Sequence, residues 1–259
     1  MSFEIEVQGG SSVRLPTAGK YCDRDIVVTA TGGDTEGAYE EGYEAGQQAE
    51  YDRFWDAFQD NGNRTDYSYA FAMSGWNATT LKPKYDLVCS ESCANMFYEC
   101  GASCSLPNIL ETQGIQLDIS TATSINSMFQ YSSFTEISID LSNWGESKKN
   151  TYLCADCDNL EKVFLKMAAD TFINSNWFSN DDKITEITID GVIGKNNFNV
   201  TYCPNLTHDS LMSIINALKD YSSEDAPSTS MKVSFGSTNL AKLTDAEKAI
   251  ATEKGWTLV

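Results

Sequence analysis

The sequence predicts an α/β solenoid, and the first observation that predicts it is a short segment that recurs along the chain. Its four copies begin at Ile115, Ile137, Val163 and Ile187. Each copy alternates apolar and polar residues, as half-buried β-strands do, and Phe164 is the one exception in a polar column. The copies follow one another at a slightly irregular period in the low to middle twenties, which indicates a solenoid in which each turn contributes one strand.

The second observation is that the segments on both sides of the repeats resemble end caps, which a solenoid needs in order to cover its open ends. We therefore predict four parts: a small β attachment module, a helix with an aromatic-rich cap that precedes the repeats, the repeats themselves, and an α/β C-terminal cap. In that order they occupy residues 1–33, 34–84, 85–205 and 206–259.

The N-terminal module alternates apolar and acidic residues around Phe3 and Ile5. Glycine, serine and proline place turns at residues 9–12 and 16–19, and an apolar strand is expected at residues 26–28. This pattern predicts a few short strands joined by turns.

The helix that follows is predicted to begin at the N-cap Asp34. Its small residues form one stripe, which consists of Ala38, Gly42, Ala45 and Ala49. A glycine costs about 1 kcal/mol relative to alanine inside a helix, so close approach of another backbone is the expected compensation. Two alternatives remain open: the stripe packs on the solenoid of its own chain, or it packs between the protomers of an oligomer such as a homotrimer.

The C-terminal cap is predicted from two helix starts and two strand positions. Thr207 can N-cap one helix, and Thr244 with Glu247 forms the capping box of another. Val233 is expected to continue the apolar strand column, and Trp256, one period further along the chain, to begin another turn.

The charge of the chain limits its partners. A net charge of −19, from 37 acidic and 18 basic residues, argues against nucleic acid and against insertion into or binding to an anionic membrane. No apolar stretch approaches the roughly 18 to 20 residues of a membrane span. The first residues contain neither a basic region nor an apolar core, so no secretory signal is expected.

The eight cysteines are expected to be reduced, because disulfides are rare in proteins without a secretory signal. Cys154 and Cys157 form a C-x-x-C pair, but a second ligand pair and a βαβ context are both missing. A second group, Cys89, Cys93, Cys100 and Cys104, has spacings of 4, 7 and 4 and no histidine nearby. We predict that these cysteines and the C-x-x-C pair are small buried turn residues, with a zinc site as the alternative, and that no cofactor and no metal is bound.

Sequence motifs for catalysis are scarce. His208 is the single histidine and lies at a predicted helix start, while acyl-transfer, phosphate-binding and dinucleotide-binding motifs are missing. A hydrolase with paired carboxylates remains an alternative, because any two of the 37 acids can meet in space. We predict a protein that is not an enzyme.

Two turns contain a Met-Phe pair, and two strand segments end in an aspartate followed by an apolar residue and serine. These four segments are Met96-Phe97, Met128-Phe129, Leu117-Asp118-Ile119-Ser120 and Ile139-Asp140-Leu141-Ser142. Over roughly residues 90–205 the chain thus resembles the BspA-type leucine-rich repeats of bacterial surface proteins and of phages of gut Firmicutes. The resemblance implies a leucine-rich-repeat-like array and no catalytic residues.

The flanks are similar to modules of phage tail proteins, at residues 15–28, 51–86 and 240–256. This similarity implies that the N-terminal module attaches to other tail proteins of a virion and that the repeats bind a glycan or protein on a bacterial cell surface. The expected location is a phage tail or a bacterial cell surface. The alternative is a structural tail or baseplate component whose repeats pack on other virion proteins.

The candidate binding surface is the polar side of the predicted strand ladder. Its first column consists of Gln116, Ser138, Phe164, Thr188 and Ser234, and its second column consists of Asp118, Asp140, Lys166 and Asp190. Aromatic rings beside acids and amides suit sugar recognition, so Phe164 and its neighbours are the predicted ligand-binding residues. The alternative is an ordinary wetted sheet surface.

Overall fold

The computed structural model describes two compact units, Met1–Gly62 and Asn63–Val259. The boundary between them lies inside the predicted 34–84 segment. The residues described are 3–6, 9–15, 26–31, 35–73, 81–145, 147–174, 176–222 and 231–259, with side chains described from residue 46 onward.

The first unit contains a three-stranded sheet of β1 (Phe3–Glu6), β2 (Gly9–Leu15) and β3 (Ile26–Thr31). The central strand β3 pairs in parallel with β1 and antiparallel with β2. The prediction of a turn at residues 9–12 is wrong, because these residues lie in β2. A register shift between Gly9 and Ser11 accommodates them in the strand.

A long helix, α1 (Thr35–Phe58), completes this unit and is followed by a 3₁₀ turn at Asp60–Gly62. The predicted N-cap Asp34 lies outside the described residues. Of the small-residue stripe, Ala49 is exposed, and the side chains of its other three members lie outside the described part.

The second unit contains short strands and helices joined by turns. Its elements are β4 (Leu87–Val88), α2 (Leu106–Gln113), β5 (Leu117–Asp118), β6 (Glu136–Asp140), β7 (Lys162–Met167), β8 (Glu186–Gly191), α3 (His208–Ala217), β9 (Met231–Val233), α4 (Gly236–Leu240), α5 (Asp245–Glu253) and β10 (Trp256–Leu258).

Strands β6, β7 and β8 form a parallel sheet in the register that the sequence predicts. Ile137 is paired with Val163, and Val163 with Ile187. Along β7 the side chains alternate strictly between exposed and buried, and the buried ones belong to Val163, Leu165 and Met167. The alignment of three of the four repeated segments is therefore confirmed.

The remaining segment, which begins at Ile115, does not join this sheet, so its predicted alignment beside β6 is wrong. Strand β5 pairs in parallel with β4, with Leu117 opposite Leu87. Helix α2 takes the place beside β6: it contacts that strand, and Ser105 at its start is bridged to Glu136 of β6. The helix begins at the N-cap Ser105 and ends at Gly114, whose left-handed φ of 66° suits glycine.

The C-terminal elements also differ from the predicted register. Trp256 pairs with Met231, and Leu258 with Val233, so the predicted alignment of Trp256 with Val233 is wrong. Thr207 caps α3, and Thr244 and Glu247 form the capping box of α5, as predicted.

Helix α3, which begins after the predicted N-cap Thr207, covers the free edge of β8. The backbone N–H groups of Ile187 and Ile189 donate to the hydroxyls of Ser210 and Ser213, at 3.0 and 3.1 Å. The hydroxyls thus replace the carbonyls of a further strand and satisfy the edge of the sheet.

A second set of hydrogen bonds joins a series of turns that we call the turn ladder, residues 67–73, 93–99, 125–131, 150–156 and 176–180. Equivalent N–H groups donate to the next turn at 2.7, 2.8, 2.9 and 3.0 Å, in the pairs Phe71 to Met96, Phe97 to Met128, Phe129 to Leu153 and Cys154 to Trp177. The rings of Phe71, Phe97 and Phe129 stack with centroids 4.9 and 5.5 Å apart. The two Met-Phe pairs thus occupy equivalent positions in successive turns, and Trp177-Phe178 occupies the same position two turns after the second pair.

The turn ladder also explains the C-x-x-C pair. Cys154 occupies the position of the stacked phenylalanines, and Cys157 lies in the interior, with its Sγ atom 3.7 Å from the hydroxyl of Ser132. Both are buried and free, as the prediction of buried turn residues requires. The sulfur atoms of Cys89 and Cys93 lie against each other, and the expectation that the cysteines are reduced stays a prediction.

Candidate ligand-binding surfaces

The polar face of the β6–β7–β8 sheet, which we call the strand face, brings six of the predicted site residues together. Ser138, Phe164 and Thr188 are paired across the three strands, and so are Asp140, Lys166 and Asp190. Phe164 lies on the central strand with 39% of its surface exposed. It is the one aromatic residue of these three strands.

Two ion pairs frame Phe164. The Lys166 ammonium lies 2.9 Å from Asp140 on β6, and the Lys162 ammonium lies 3.0 Å from Glu186 on β8. Each lysine is the second residue from Phe164 along β7, so all three side chains project from the same side of the strand. Lys162 and Glu186 are not among the predicted site residues, although the same alternation extends to them.

Hydrogen bonds stabilise the charged forms of Lys166, Asp140 and Asp118. The side-chain hydrogen bond with Asp140 raises the pKa of Lys166, so the ammonium is kept charged. Partial burial acts to raise the pKa of Asp140, but hydrogen bonds from Ser142 and Lys166 outweigh it and lower the pKa overall. Hydrogen bonding from the Ser120 backbone lowers the pKa of Asp118. At neutral pH both aspartates are therefore ionised.

Three predicted residues lie away from this sheet. Gln116 and Asp118 belong to the β4–β5 ladder, where the Gln116 N–H donates to Asp86 at 2.8 Å. Asp140 is still close enough to Asp118 for its charge to act on the pKa of Asp118, in the upward direction. The placement of Ser234 after Thr188 is wrong, because Ser234 pairs with Asn199 and α3 occupies the position beside β8.

A second surface, on the turn ladder, was not predicted. The rings of Tyr98 and Tyr131 meet edge to face with centroids 5.4 Å apart. Beside them, the Asp156 carboxylate accepts a 2.8 Å hydrogen bond from the Asn180 amide and a 3.4 Å hydrogen bond from the Gln130 amide. We call these five residues the tyrosine cluster.

Three members of the tyrosine cluster have left-handed backbone conformations. The φ angles of Tyr131, Asp156 and Asn180 are 60°, 60° and 63°, and the neighbouring Glu99 has a φ of 53°. Such angles are uncommon for residues other than glycine, but they recur along the turn ladder, for example at Asn95, Ser127 and Tyr152, so they belong to its turn conformation. The ladder hydrogen bonds hold these turns in register. No sequence signal marked them, because a positive φ at tyrosine or aspartate leaves no motif.

The remaining candidates occupy structural positions. His208 lies at the start of α3, where its Nε2 atom is 2.8 Å from the Glu247 carboxylate at the start of α5. Among the described residues, no group of three or more histidine, cysteine, aspartate or glutamate side chains is arranged to hold a metal ion. None of the described helices is both long and apolar enough to cross a membrane.

No family model, no curated protein and no solved structure matches the chain, so its function is inferred from the chemistry of these two surfaces.

Proposed function

We propose that this chain is a non-enzymatic adhesion protein of a phage tail or a bacterial cell surface. Its repeats form a leucine-rich-repeat-like solenoid, and its strand face binds a glycan or protein on a bacterial cell. The N-terminal unit attaches the chain to other tail proteins.

The observation that carries the proposal is the position of Phe164. A phenylalanine on the central strand of a sheet normally points inward, whereas this one is 39% exposed between two lysines. Aromatic residues are enriched in the centres of binding interfaces, where they contribute large contact area at low entropic cost. The ion pairs on either side supply polar groups around the ring.

Two separate sets of hydrogen bonds, one between strands and one between turns, support the proposed repeat architecture. Strand pairing joins Ile137 to Val163 and Val163 to Ile187. Over the same part of the chain, the turn ladder joins Phe129 to Leu153 and Cys154 to Trp177. Both sets thus advance by nearly the same length of chain at each step, which is what successive turns of a solenoid produce. The resemblance of the two Met-Phe turns to BspA-type repeats supports the same architecture.

Binding to whole cells tests the proposal. Fluorescently labelled full-length protein is incubated with a panel of gut Firmicute cells, and cell-bound fluorescence is measured by flow cytometry. We expect some strains to be labelled and Phe164→Ala to reduce labelling about tenfold, because truncation of a central aromatic residue typically costs more than about 1 kcal/mol of binding. Tyr202→Ala, which removes an exposed aromatic ring outside the strand face, serves as the control.

Two results would contradict the proposal. If no strain in a broad panel is labelled, the chain is not an adhesion protein. If Phe164→Ala and the parent protein label cells equally, the strand face is not the binding surface. Electron microscopy of an assembled particle separates the alternative of a structural tail component, in which other virion proteins cover the strand face.

A further inference from the structure

The tyrosine cluster has the composition of a binding site although the strand face does not include it. Tyr131 is 46% exposed, and its neighbour Tyr98 is half-buried and supports it edge to face. An exposed ring that is held by a second ring offers a fixed flat surface to a ligand.

The polar members of the tyrosine cluster form a directed set of hydrogen-bonding groups. The Asn180 and Gln130 amides both donate to Asp156, one to each carboxylate oxygen. These bonds fix the plane of the carboxylate, and each oxygen retains a lone pair for a further donor. Desolvation, the charge of Glu99 and a hydrogen bond with the Glu99 side chain raise the pKa of Tyr98, so its phenol stays neutral.

We propose that the tyrosine cluster binds a neutral pyranose sugar of a bacterial surface glycan. The apolar C–H face of the sugar stacks on the Tyr131 ring, and its hydroxyls bond to Asp156, Asn180 and Gln130. This inference rests on the proposed adhesion function, because it names the ligand class, and it adds a second surface to that function.

The charge of the surface selects neutral sugars. Asp156 and Glu99 are both acidic, and the whole chain carries a net charge of −19. A uronic acid or a phosphorylated sugar would meet like charge at the cluster and in the wider field of the protein. A neutral hexose or N-acetylhexosamine carries only hydroxyl and amide groups, which match the donors and acceptors present.

The first experiment measures binding of the full-length protein to immobilised neutral oligosaccharides of glucose, galactose and N-acetylglucosamine. Oligogalacturonate on the same surface is the anionic comparison, and it is expected to give no signal. We expect at least one neutral oligosaccharide to bind, Tyr131→Ala to weaken that binding about tenfold or more, and Asp156→Asn to weaken it about as strongly. Tyr131→Phe keeps the ring and is expected to stay within about threefold of the parent.

Tyr152→Ala is the matched control for Tyr131→Ala. Tyr152 lies in the same turn ladder, has a φ of 53° against 60° for Tyr131, and is 42% exposed against 46%. A general effect on the ladder would appear in both variants, whereas loss of a sugar contact appears only in Tyr131→Ala. Circular dichroism of each variant verifies that it is folded, and Asp156→Asn tests the site even if Tyr131→Ala unfolds.

The outcomes separate this inference from the proposed function. If cells are labelled but no neutral oligosaccharide binds, or if sugar binding is unchanged in Tyr131→Ala and Asp156→Asn, the inference is wrong and the adhesion function stands. If sugars bind through the cluster but no cell is labelled, the sugar site stands and the adhesion function is wrong. Preferential binding of oligogalacturonate would also overturn the inference.

Discussion

The buried carboxylate of Asp181 accepts a 2.7 Å hydrogen bond from the backbone N–H of Cys157. The residue is 1% exposed, and its Oδ2 atom has no hydrogen-bond partner in the described part of the chain. Burial raises the pKa of Asp181 to about 8, although the Cys157 N–H acts in the opposite direction. The side chain is therefore mostly protonated at neutral pH, as expected for an acid among buried thiols.

This raised pKa predicts that stability falls as the pH rises from about 4 to about 8. In that window folded Asp181 binds a proton that unfolded Asp181, with a pKa near 3.8, has lost, so higher pH favours the unfolded chain. Asp181→Asn removes this contribution and should stabilise the protein by on the order of 1 to 3 kcal/mol at about pH 8. Urea unfolding at several pH values measures it, with the exposed neighbour Asp182→Asn as control. An unchanged pH profile in Asp181→Asn would refute the prediction.

The stacked rings of the turn ladder should contribute strongly to stability. Phe97 lies between Phe71 and Phe129, so Phe97→Ala leaves a cavity in contact with both rings. We expect a loss of about 3 to 5 kcal/mol in the free energy of unfolding. Phe164→Ala, which removes the same side chain from an exposed position, should cost less than about 1 kcal/mol in the same urea titration. Similar losses in both variants would contradict the stacking argument.

The serines of α3 should protect the edge of β8. Ser210→Ala with Ser213→Ala removes the acceptors of the Ile187 and Ile189 N–H groups, and each unsatisfied buried donor costs about 1 to 3 kcal/mol. Hydrogen–deuterium exchange should show faster exchange at these two amides. Asn216→Ala, an exposed change on the same helix, is the control. Unchanged protection in the double variant would show that the hydroxyls are dispensable.

Gly194 should not tolerate a side chain. A Cβ at this position would lie 2.1 Å from the backbone oxygen of Ala169, whereas a Cβ at Gly145 would have no atom within 4 Å. Gly194→Ala is therefore expected to destabilise the protein by about 1 to 3 kcal/mol, because the two backbones must separate. Gly145→Ala should change the unfolding midpoint little. A neutral Gly194→Ala would mean that the backbones separate at low cost.

The sequence predicts the sheet well because apolar residues alternate with polar ones in its strands. The columns of Ile137, Val163 and Ile187 follow from burial alone, and the caps Thr207 and Thr244 follow from local hydrogen bonding. The pattern does not reveal an insertion. Ser105 and Gly114 flank α2 with ordinary start and stop residues. The apolar pattern recurs after the helix, at residues 115–119, and for that reason these residues were aligned with β6.

The candidate sites are harder to predict than the fold. Phe164 was found because it breaks a polar column, whereas Tyr98 and Tyr131 lie in turns without any periodic pattern. Their contact depends on hydrogen bonds between successive turns of the ladder, such as the one from the Glu99 N–H to the Gln130 carbonyl. The sequence contains no local pattern for such long-range pairing, which follows from the stacking of the turns in the folded chain.

The helix over the edge of β8 has a consequence for assembly. A parallel sheet with an open edge can recruit an identical edge from another molecule and grow into a fibre. Because Ser210 and Ser213 already occupy the N–H groups of Ile187 and Ile189, this edge is closed to end-on polymerisation. Molecules of this chain can therefore be concentrated side by side without joining through the β8 edge.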